Sequence, residues 1–247
     1  MSKGLVLVTG AGRRVGAAIA GRLAQDGWTI GVHYNSSRAG AEAVVAAIAQ
    51  AGGAAALFGA DLRDQASIDA MTQALAARGD WVGLVNSAAS FAHDDLASFA
   101  AASAEAQLKL NLIAPVVLSR ALAAAKPAQG FVINIADQKV KNPNPDFLSY
   151  TLSKLGLAAA TDTLAMAMAP NVRVNCIAPG LMLPSGDQTE AQFARVHGRT
   201  LTGKGASIED VAEAALFLAN ARNITGAYLA VDGGQRLVAS ARDVMFT

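Results

Sequence analysis

The chain has 247 residues, of which 53% are hydrophobic and 16% are charged, and its formal net charge is +1. The apolar fraction is large enough to fill a core, which excludes a disordered chain, and the small net charge excludes an electrostatic nucleic-acid binder. The single cysteine, Cys176, excludes an internal disulfide and favours a reducing compartment.

Short apolar runs alternate with longer alanine-rich stretches of helical periodicity. Strands are expected at 5–9, 28–33, 54–59, 81–86, 130–135, 172–177 and 228–231, and helices at 13–25, 39–51, 68–77, 103–125, 149–169 and 208–219. This alternation predicts an α/β fold with a doubly wound parallel sheet (Rossmann fold) in three α/β/α layers, as a single domain over 1–247. Right-handed crossovers then bring the carboxyl ends of the strands to one edge, where ligands bind.

The first residues run directly into the first apolar strand, so no secretory leader is expected. Every apolar stretch of about 18 residues is interrupted by charged or turn residues, so no membrane span is expected. We therefore expect a cytoplasmic protein whose partner is a small molecule. The less periodic segment 181–205 contains Pro184, Gly186, Gly198 and Gly203, and is predicted to be a mobile loop over the site.

A glycine-rich segment, TGAGRRVG at residues 9–16, joins the first strand to the first helix. Glycine permits a tight turn and close approach of the backbone to a pyrophosphate, and the helix that follows supplies N–H donors. The cofactor candidates here are Gly10, Gly12, Arg14, Val15 and Gly16. The alternative is an ordinary glycine-rich turn without a ligand.

The second strand leads into His33, Tyr34, Asn35, Ser36 and Ser37. An enzyme that uses NAD usually has an acidic residue here for the ribose hydroxyls, but the first acid after this strand is Glu42. Arg14, Ser36, Ser37 and Arg38 are suited instead to a phosphate. The pattern therefore predicts NADPH/NADP as the cofactor, with a solvated polar loop as the alternative, and His33 is expected near the cofactor rather than at the reaction.

Tyr150 and Lys154 are four residues apart at the start of a predicted helix, which places them on one face. A neighbouring ammonium lowers the pKa of a tyrosine and suits it to proton transfer near neutral pH. Asn111 lies on the preceding long helix. With the wide glycine spacing, Pro179-Gly180 and the VDGG segment at 231–234, this set resembles the short-chain dehydrogenase/reductase superfamily over essentially the whole chain.

The resemblance implies an NADPH-dependent oxidoreductase. Its catalytic residues would be Tyr150, Lys154, Asp137 and Asn111, and Tyr150 and Lys154 would also hold the nicotinamide ribose. Further cofactor contacts would come from residues at the ends of strands, and Asp61 would accept from the adenine amino group. The segment 86–89 partly matches the family's Asn-Asn-Ala-Gly segment. These additional cofactor candidates are Asp61, Leu62, Asn86, Ser87, Ala88, Pro179 and Gly180.

One position departs from the superfamily pattern. The superfamily's catalytic serine lies thirteen residues before the tyrosine, and that position is Asp137 here. A serine hydroxyl donates to a substrate carbonyl, whereas an ionised carboxylate cannot donate and raises the pKa of the tyrosine. Asp137 therefore favours a substrate with N–H donors or a C=N bond. The alternatives are an inactive site and an acid that only caps a helix.

The pteridine reductases and the related dihydromonapterin reductases have an aspartate at this position, and the chain resembles them in this respect. Further similarities are RVG at 14–16, HY at 33–34, NLIAP at 111–115, and Phe91, which would stack on a pterin ring. The resemblance implies that Phe91, Asp137, Tyr150 and Arg14 bind the substrate. Ala89 replaces a serine of some relatives, and Ser185 is the hydroxyl closest to the expected threonine after Gly180. A core position for Phe91 is the alternative.

The predicted reaction is reduction of a dihydropterin such as dihydrobiopterin, dihydromonapterin or dihydrofolate. The alternatives are a carbonyl reductase, for example of 3-oxoacyl thioesters, and an NADP-binding sensor with little catalysis. The family implies a homotetramer. His93 and His197 are expected at the surface or the rim, and no residue cluster has metal-ligand spacing.

Overall fold

The computed structural model describes residues 2–184 and 189–246. It contains a seven-stranded parallel sheet in the order β3-β2-β1-β4-β5-β6-β7. The strands are β1 Leu5–Val8, β2 Thr29–Tyr34, β3 Ala54–Gly59, β4 Trp81–Asn86, β5 Gly130–Ile135, β6 Val172–Pro179 and β7 Tyr228–Val231. The predicted doubly wound parallel sheet is confirmed.

Helices cover both faces of this sheet. They are α1 Arg14–Gln25, α2 Arg38–Gln50, α3 Gln65–Ala77, α4 Ala101–Leu108, α5 Ala114–Ala124, α6 Leu148–Met168, α7 Glu190–His197 and α8 Ile208–Asn220. One core lies between the sheet and α1, α2 and α8, and the other between the sheet and α3, α5 and α6. Leu5 and Leu7 face one core while Val6 and Val8 face the other, since successive strand residues point to opposite sides.

Two elements differ from the sequence prediction. The long helix expected at 103–125 is divided by a wider turn at Lys109–Ile113, which has π-helical hydrogen bonding and contains Asn111. The helix α7 lies inside the segment predicted to be a loop, and Thr189 and Gln192 form its capping box. Because α7 contains few apolar residues, hydrophobic periodicity does not predict this helix. Ser185 and Gly186 lie outside the described residues.

Candidate active site

A cavity of about 530 Å³ opens at the carboxyl edge of the sheet, where the strand order reverses between β1 and β4. Ligands of doubly wound sheets bind at this switch point. Phe91, Asp137 and Tyr150 line one end of the cavity. The wall also contains most of the predicted cofactor residues: Gly10, Gly12, Arg14, Val15, Gly16, His33, Tyr34, Asn35, Ser36, Ser37, Asp61, Leu62, Ser87, Ala88 and Gly180.

The glycine loop is built for close backbone approach. Gly10 has φ +66°, and a Cβ at this position would lie 3.0 Å from the Cα of Ala88. A Cβ on Gly16 would collide with the carbonyl oxygen of Gly10. Both positions therefore require glycine, and α1 begins directly after the loop with its N–H groups at the cavity. This arrangement fits the diphosphate of a dinucleotide.

His33 holds the glycine loop through a hydrogen bond with its backbone. Its Nδ1 accepts a hydrogen bond of 3.0 Å from the backbone N–H of Gly10, so the proton of the neutral ring is on Nε2, 3.1 Å from the carbonyl oxygen of Ala60. Burial lowers the pKa of His33 to about 4. Protonation of Nδ1 would remove the acceptor that holds Gly10, so the loop depends on a neutral His33.

We expect this histidine to make folding sensitive to mild acid. Burial lowers its pKa from 6.5, the ordinary value of a histidine, to about 4 in the folded chain, so the unfolded chain binds the proton more readily. Stability present above the unfolded pKa is lost as pH falls toward the folded pKa, by about 2 kcal/mol between about pH 7 and about pH 5. Urea unfolding of the wild type and of His33→Gln at both pH values measures the effect. An equal loss in the variant would assign it to other groups.

The cavity wall carries three guanidinium groups near the glycine loop. Arg13, Arg14 and Arg63 line the cavity, and within the described part of the chain none of them forms a salt bridge. Arg14 has φ +51°, a backbone conformation that is uncommon outside glycine and frequent at functional sites. These cations suit a phosphate-bearing ligand.

Arg38, also predicted for this phosphate position, is not part of the cavity wall in the described chain. Its Nε lies 2.8 Å from Oε1 of Glu42, one helical turn further along α2, and both side chains are exposed. Among the described residues the cavity wall includes Arg63 but not Arg38. Arg63 follows β3, which is the neighbour of β2, so the sheet order brings it to this end of the cavity.

Tyr150 and Asp137 are joined by a hydrogen bond. The hydroxyl of Tyr150, in the first turn of α6, donates to Oδ2 of Asp137 at 2.9 Å. Oδ1 of Asp137 accepts from the backbone N–H of Lys139 at 2.9 Å. Asp137 therefore caps the short helical turn Gln138–Val140 and also holds the tyrosine hydroxyl.

The environment shifts both groups toward their protonated forms. Burial raises the pKa of Asp137, although its hydrogen bonds with Lys139 and Tyr150 oppose this. Burial, followed by the charge of Asp137, raises the pKa of Tyr150 well above its ordinary value. This direction is opposite to the lowering of the Tyr150 pKa that was expected from Lys154. Burial also lowers the pKa of Lys154 to about 8.

Four of the predicted site residues lie behind the cavity wall, among the described residues, rather than in it: Asn86, Asn111, Lys154 and Pro179. Nζ of Lys154 donates to the carbonyl oxygen of Ile135 at 2.7 Å and lies 5.6 Å from the ring centre of Tyr150. Asn86 donates through Nδ2 to Asn134, while its buried Oδ1 has no hydrogen-bond partner within the described residues. Lys154 is therefore placed to support Tyr150 from its protein side.

Asn111 connects the two segments that carry the cavity aromatics. Its amide accepts from the N–H of Ser90 at 2.8 Å and donates to the carbonyl oxygen of the same residue at 2.9 Å. The Nδ2 group also donates to Oγ of Ser153 at 3.0 Å. Because Ser90 precedes Phe91 and Ser153 donates to the carbonyl oxygen of Tyr150, Asn111 is a positioning residue. π-helical turns such as the one around it are frequent at functional sites.

Phe91 is held in a fixed orientation at the cavity. Its ring stacks on the buried ring of Phe147, with centroids 4.1 Å apart and planes at 13°, and meets Tyr150 edge-on at 4.7 Å. The side chain lines the cavity and is 44% exposed, so the alternative of a core aromatic is wrong. A planar ligand can stack against an aromatic surface presented in this way.

Comparison with known proteins decides the family. The profile of a family described as enoyl-(acyl carrier protein) reductase, within the short-chain dehydrogenases/reductases, matches residues 10–236. The chain belongs to the short-chain dehydrogenase/reductase family.

Several members of this family are similar over nearly the whole chain. The structure of FolM alternative dihydrofolate reductase 1 from Brucella canis, complexed with NADP, superposes with a TM-score of 0.91 at 36% identity, covering 98% of this chain and 97% of that one. The 3β-hydroxysteroid dehydrogenase 1 of Eggerthella lenta is 33% identical, over 94% of this chain and 93% of its own length. Dihydromonapterin reductase of Klebsiella pneumoniae is 26% identical, over 94% and 96%. NADP, held by the FolM structure, is the cofactor that the sequence predicted.

Ala89 and residues 181–183, which the sequence analysis had placed at the substrate and in the segment over the site, line the cavity. Other cavity residues of this family member were missed by the sequence analysis: Arg13, Arg63, Leu110, Gln138, Lys139, Gln235, Asp243, Val244 and Met245. Arg63 and Lys139 each lie two residues beyond a predicted site residue, so their proximity was a usable signal. Asp243 carried no local signal, because its partner is distant in sequence.

The remaining histidines are placed as follows. His93 packs edge-on against Phe147 and Phe246, and His197 stacks on Phe193 near the carbonyl oxygen of Ala206. Within the described residues, no group of three or more His, Cys, Asp or Glu side chains is arranged to hold a metal ion. Over the same residues, no helix is both long and apolar enough to cross a bilayer.

Replacing Arg14 with Ala is expected to raise the KM for NADPH about 10-fold and the KM for NADH less than about threefold, because a charge-assisted hydrogen bond to a phosphate is lost. Steady-state kinetics with both cofactors measures the difference. Arg38→Ala is the matched control, since Arg38 pairs with Glu42 and lies away from the cavity wall of the described chain. Equal losses for NADPH and NADH in Arg14→Ala would contradict the assignment.

Proposed function

We propose that this protein is an NADPH-dependent reductase of dihydropterins, of the dihydrobiopterin, dihydromonapterin or dihydrofolate type. The observation that carries the proposal is the hydrogen-bonded pair of Asp137 and Tyr150 beside the exposed face of Phe91. A carboxyl group and a phenol together suit a nitrogen that must receive a proton. The aromatic ring suits a flat heterocycle.

The residues present fit the cofactor. The Gly10 turn and the amino end of α1 would hold the diphosphate, and the guanidinium of Arg14 at the cavity wall would hold an added phosphate. When bound, NADPH supplies hydride to the carbon of a C=N bond. Tyr150 and Lys154 would orient the nicotinamide ribose, as in other members of the family.

The protein's own groups would deliver the proton to the nitrogen. Tyr150 holds its hydroxyl proton toward Asp137 at 2.9 Å, and burial favours the protonated forms of both groups. For the transfer, the Tyr150 hydroxyl would turn from Asp137 to the substrate nitrogen and give up its proton there. The protonated Asp137 carboxyl would then give its proton to the Tyr150 phenolate, and the carboxylate would recover a proton from solvent in the cavity. This is general acid catalysis in which each step moves one proton. Lys154 and Asn111 would position Tyr150.

The deciding experiment is a comparison of substrates. NADPH oxidation is followed with dihydrobiopterin, dihydrofolate and an acetoacetyl thioester. Higher kcat/KM with a pterin than with the thioester supports the proposal. A 3-ketosteroid is tested as well, because the Eggerthella lenta relative is a 3β-hydroxysteroid dehydrogenase. Faster reduction of the thioester or of the 3-ketosteroid than of the pterins would assign carbonyl reduction instead. NADPH binding without turnover of any substrate would indicate a sensor.

We further propose a homotetramer assembled through the long helices. Leu152 and Met166 of α6 and Ile113 beside α5 are 48%, 72% and 52% exposed, although all three are large and apolar. Exposed apolar side chains on neighbouring helices are typical of subunit interfaces. Light scattering is expected to give the mass of four chains, and a monomer mass would contradict this assembly.

A further inference from the structure

The carboxyl-terminal tail returns to the substrate end of the cavity. Asp243, Val244 and Met245 line the same cavity as Asp137 and Tyr150. The tail follows β7 and runs along the loop between β5 and α6, where Asn142 donates to the carbonyl oxygen of Val238 at 3.0 Å. Two segments about 100 residues apart in sequence therefore meet at the reacting groups.

A buried ion pair joins these segments. Nζ of Lys139 lies 2.7 Å from Oδ2 of Asp243, and the two side chains are only 3% and 9% exposed. The ammonium also donates to Oδ1 of Asn144 at 2.8 Å. Breaking a buried pair by removing one partner leaves an uncompensated charge, which is strongly unfavourable. Lys139 and Asp243 therefore hold each other in one position.

Contacts on either side of Asp243 reinforce this position. The carboxylate of Asp146 accepts from the backbone N–H of Asp243 at 2.7 Å and from Nε of Arg242 at 2.8 Å. Beyond Asp243, the ring of Phe246 stacks on Phe147 at 6.2 Å. The tail is thus fixed before and after the residues that form the cavity wall.

The same ion pair is connected to the reacting groups. Lys139 is two residues after Asp137, and its backbone N–H donates to Oδ1 of Asp137 at 2.9 Å. Phe147, beneath the Lys139 ammonium at 5.5 Å, is the ring on which Phe91 stacks. A shift of Lys139 would therefore disturb both the carboxyl group and the aromatic surface of the site.

We propose that Asp243 is a positioning residue of the active site, whose ion pair with Lys139 holds residues 243–245 as the wall that confines the substrate. The inference rests on the proposed function for the choice of substrate. It assigns to the tail a role in substrate binding and selectivity that is separate from the binding of the cofactor's phosphates, for which the glycine loop and Arg14 are proposed.

Asp243→Asn keeps the shape of the side chain and removes its charge. We expect the variant to lose about 10- to 100-fold in kcat/KM for the dihydropterin, mainly through KM, because the wall shifts relative to the reacting groups. The KM for NADPH stays within about twofold of the wild type. Asp243→Glu restores the carboxylate and is expected to recover part of the loss. The double variant Lys139→Met/Asp243→Leu removes both charges and is expected to lose less than Asp243→Asn, since no buried charge is left unpaired.

Asp26→Asn is the matched control. Asp26 forms an ion pair with Lys3 at 2.6 Å beyond the end of α1, at the amino edge of the sheet. The control is expected to retain the kinetics of the wild type. A loss of kcat/KM in Asp26→Asn equal to that in Asp243→Asn would overturn the proposal, because the effect would then be general destabilisation.

A second readout does not depend on activity. Trypsin cleavage after Arg242 releases residues 243–247 and is detected by mass spectrometry. We expect the NADPH-bound wild type to resist cleavage and Asp243→Asn to be cleaved about 10-fold faster, because the tail opens locally. Equal cleavage rates, or faster cleavage with an unchanged substrate KM, would overturn the proposal. If the wild type reduces a carbonyl compound instead of a pterin, the proposed function fails, and the same variants tested with that compound still decide the role of Asp243.

Discussion

Tyr150→Phe is expected to lower kcat for the preferred substrate by about 10³-fold, the usual range for loss of a positioned general acid. Tyr150 lines the cavity, and its phenolic hydroxyl donates to Asp137 at 2.9 Å. Its removal leaves the ring that contacts Phe91, so the shape of the site is retained. The loss is therefore expected in kcat rather than in the KM for NADPH.

Stopped-flow or steady-state NADPH oxidation measures this loss, and fluorescence titration with NADPH checks that the cofactor still binds. Tyr228→Phe is the matched control. The Tyr228 hydroxyl is 3.5 Å from the backbone carbonyl oxygen of Asp137, and Tyr228 lies outside the cavity wall formed by the described residues. We expect the control to keep kcat within about twofold. Retention of more than about one tenth of kcat in Tyr150→Phe would exclude Tyr150 as the general acid.

Asp137→Ser is expected to reverse the substrate preference. We expect kcat/KM for the dihydropterin to fall about 100-fold and that for a ketone or thioester to rise about 10-fold. The serine hydroxyl donates to a carbonyl oxygen but supplies no acidic proton to a nitrogen. Removing the carboxyl group also removes a cause of the raised pKa of Tyr150. Serine can still accept from the N–H of Lys139, so the local turn is retained.

The pH dependence of pterin reduction provides a second measure of the same residue. Burial raises the pKa of Asp137 above its ordinary value, and the protonated form is the proton donor. Activity is therefore expected to fall as pH rises through this raised pKa. In Asp137→Ser we expect this decrease in activity with rising pH to disappear, while changes in activity caused by the titration of other groups remain. An identical pH profile in wild type and variant would show that Asp137 does not supply the proton.

Hydrophobic periodicity and turn residues were enough to predict the fold and the glycine loop that is expected to bind the cofactor. The buried strands are short apolar runs, and Gly10 and Gly16 mark a backbone path that no other residue permits. Such signals are local, because each depends on a few neighbouring residues. The helix α7 was missed since its polar residues give no apolar stripe, although its Thr189 capping box was present in the sequence.

The sequence by itself therefore determined the doubly wound sheet and the family resemblance, and it predicted Tyr150, Asp137 and Lys154 together as site residues. The tertiary structure decided which charges face the cavity. Arg38 forms an ion pair with Glu42 on a helix surface, whereas Arg63, which follows the adjacent strand β3, lines the cavity. Lys139 forms an ion pair with Asp243 of the carboxyl-terminal tail. In the folded chain, burial and the charge of Asp137 raise the pKa of Tyr150, which is opposite to the direction expected from Lys154. Burial and long-range ion pairs depend on how distant segments pack, so no local pattern of residues encodes them.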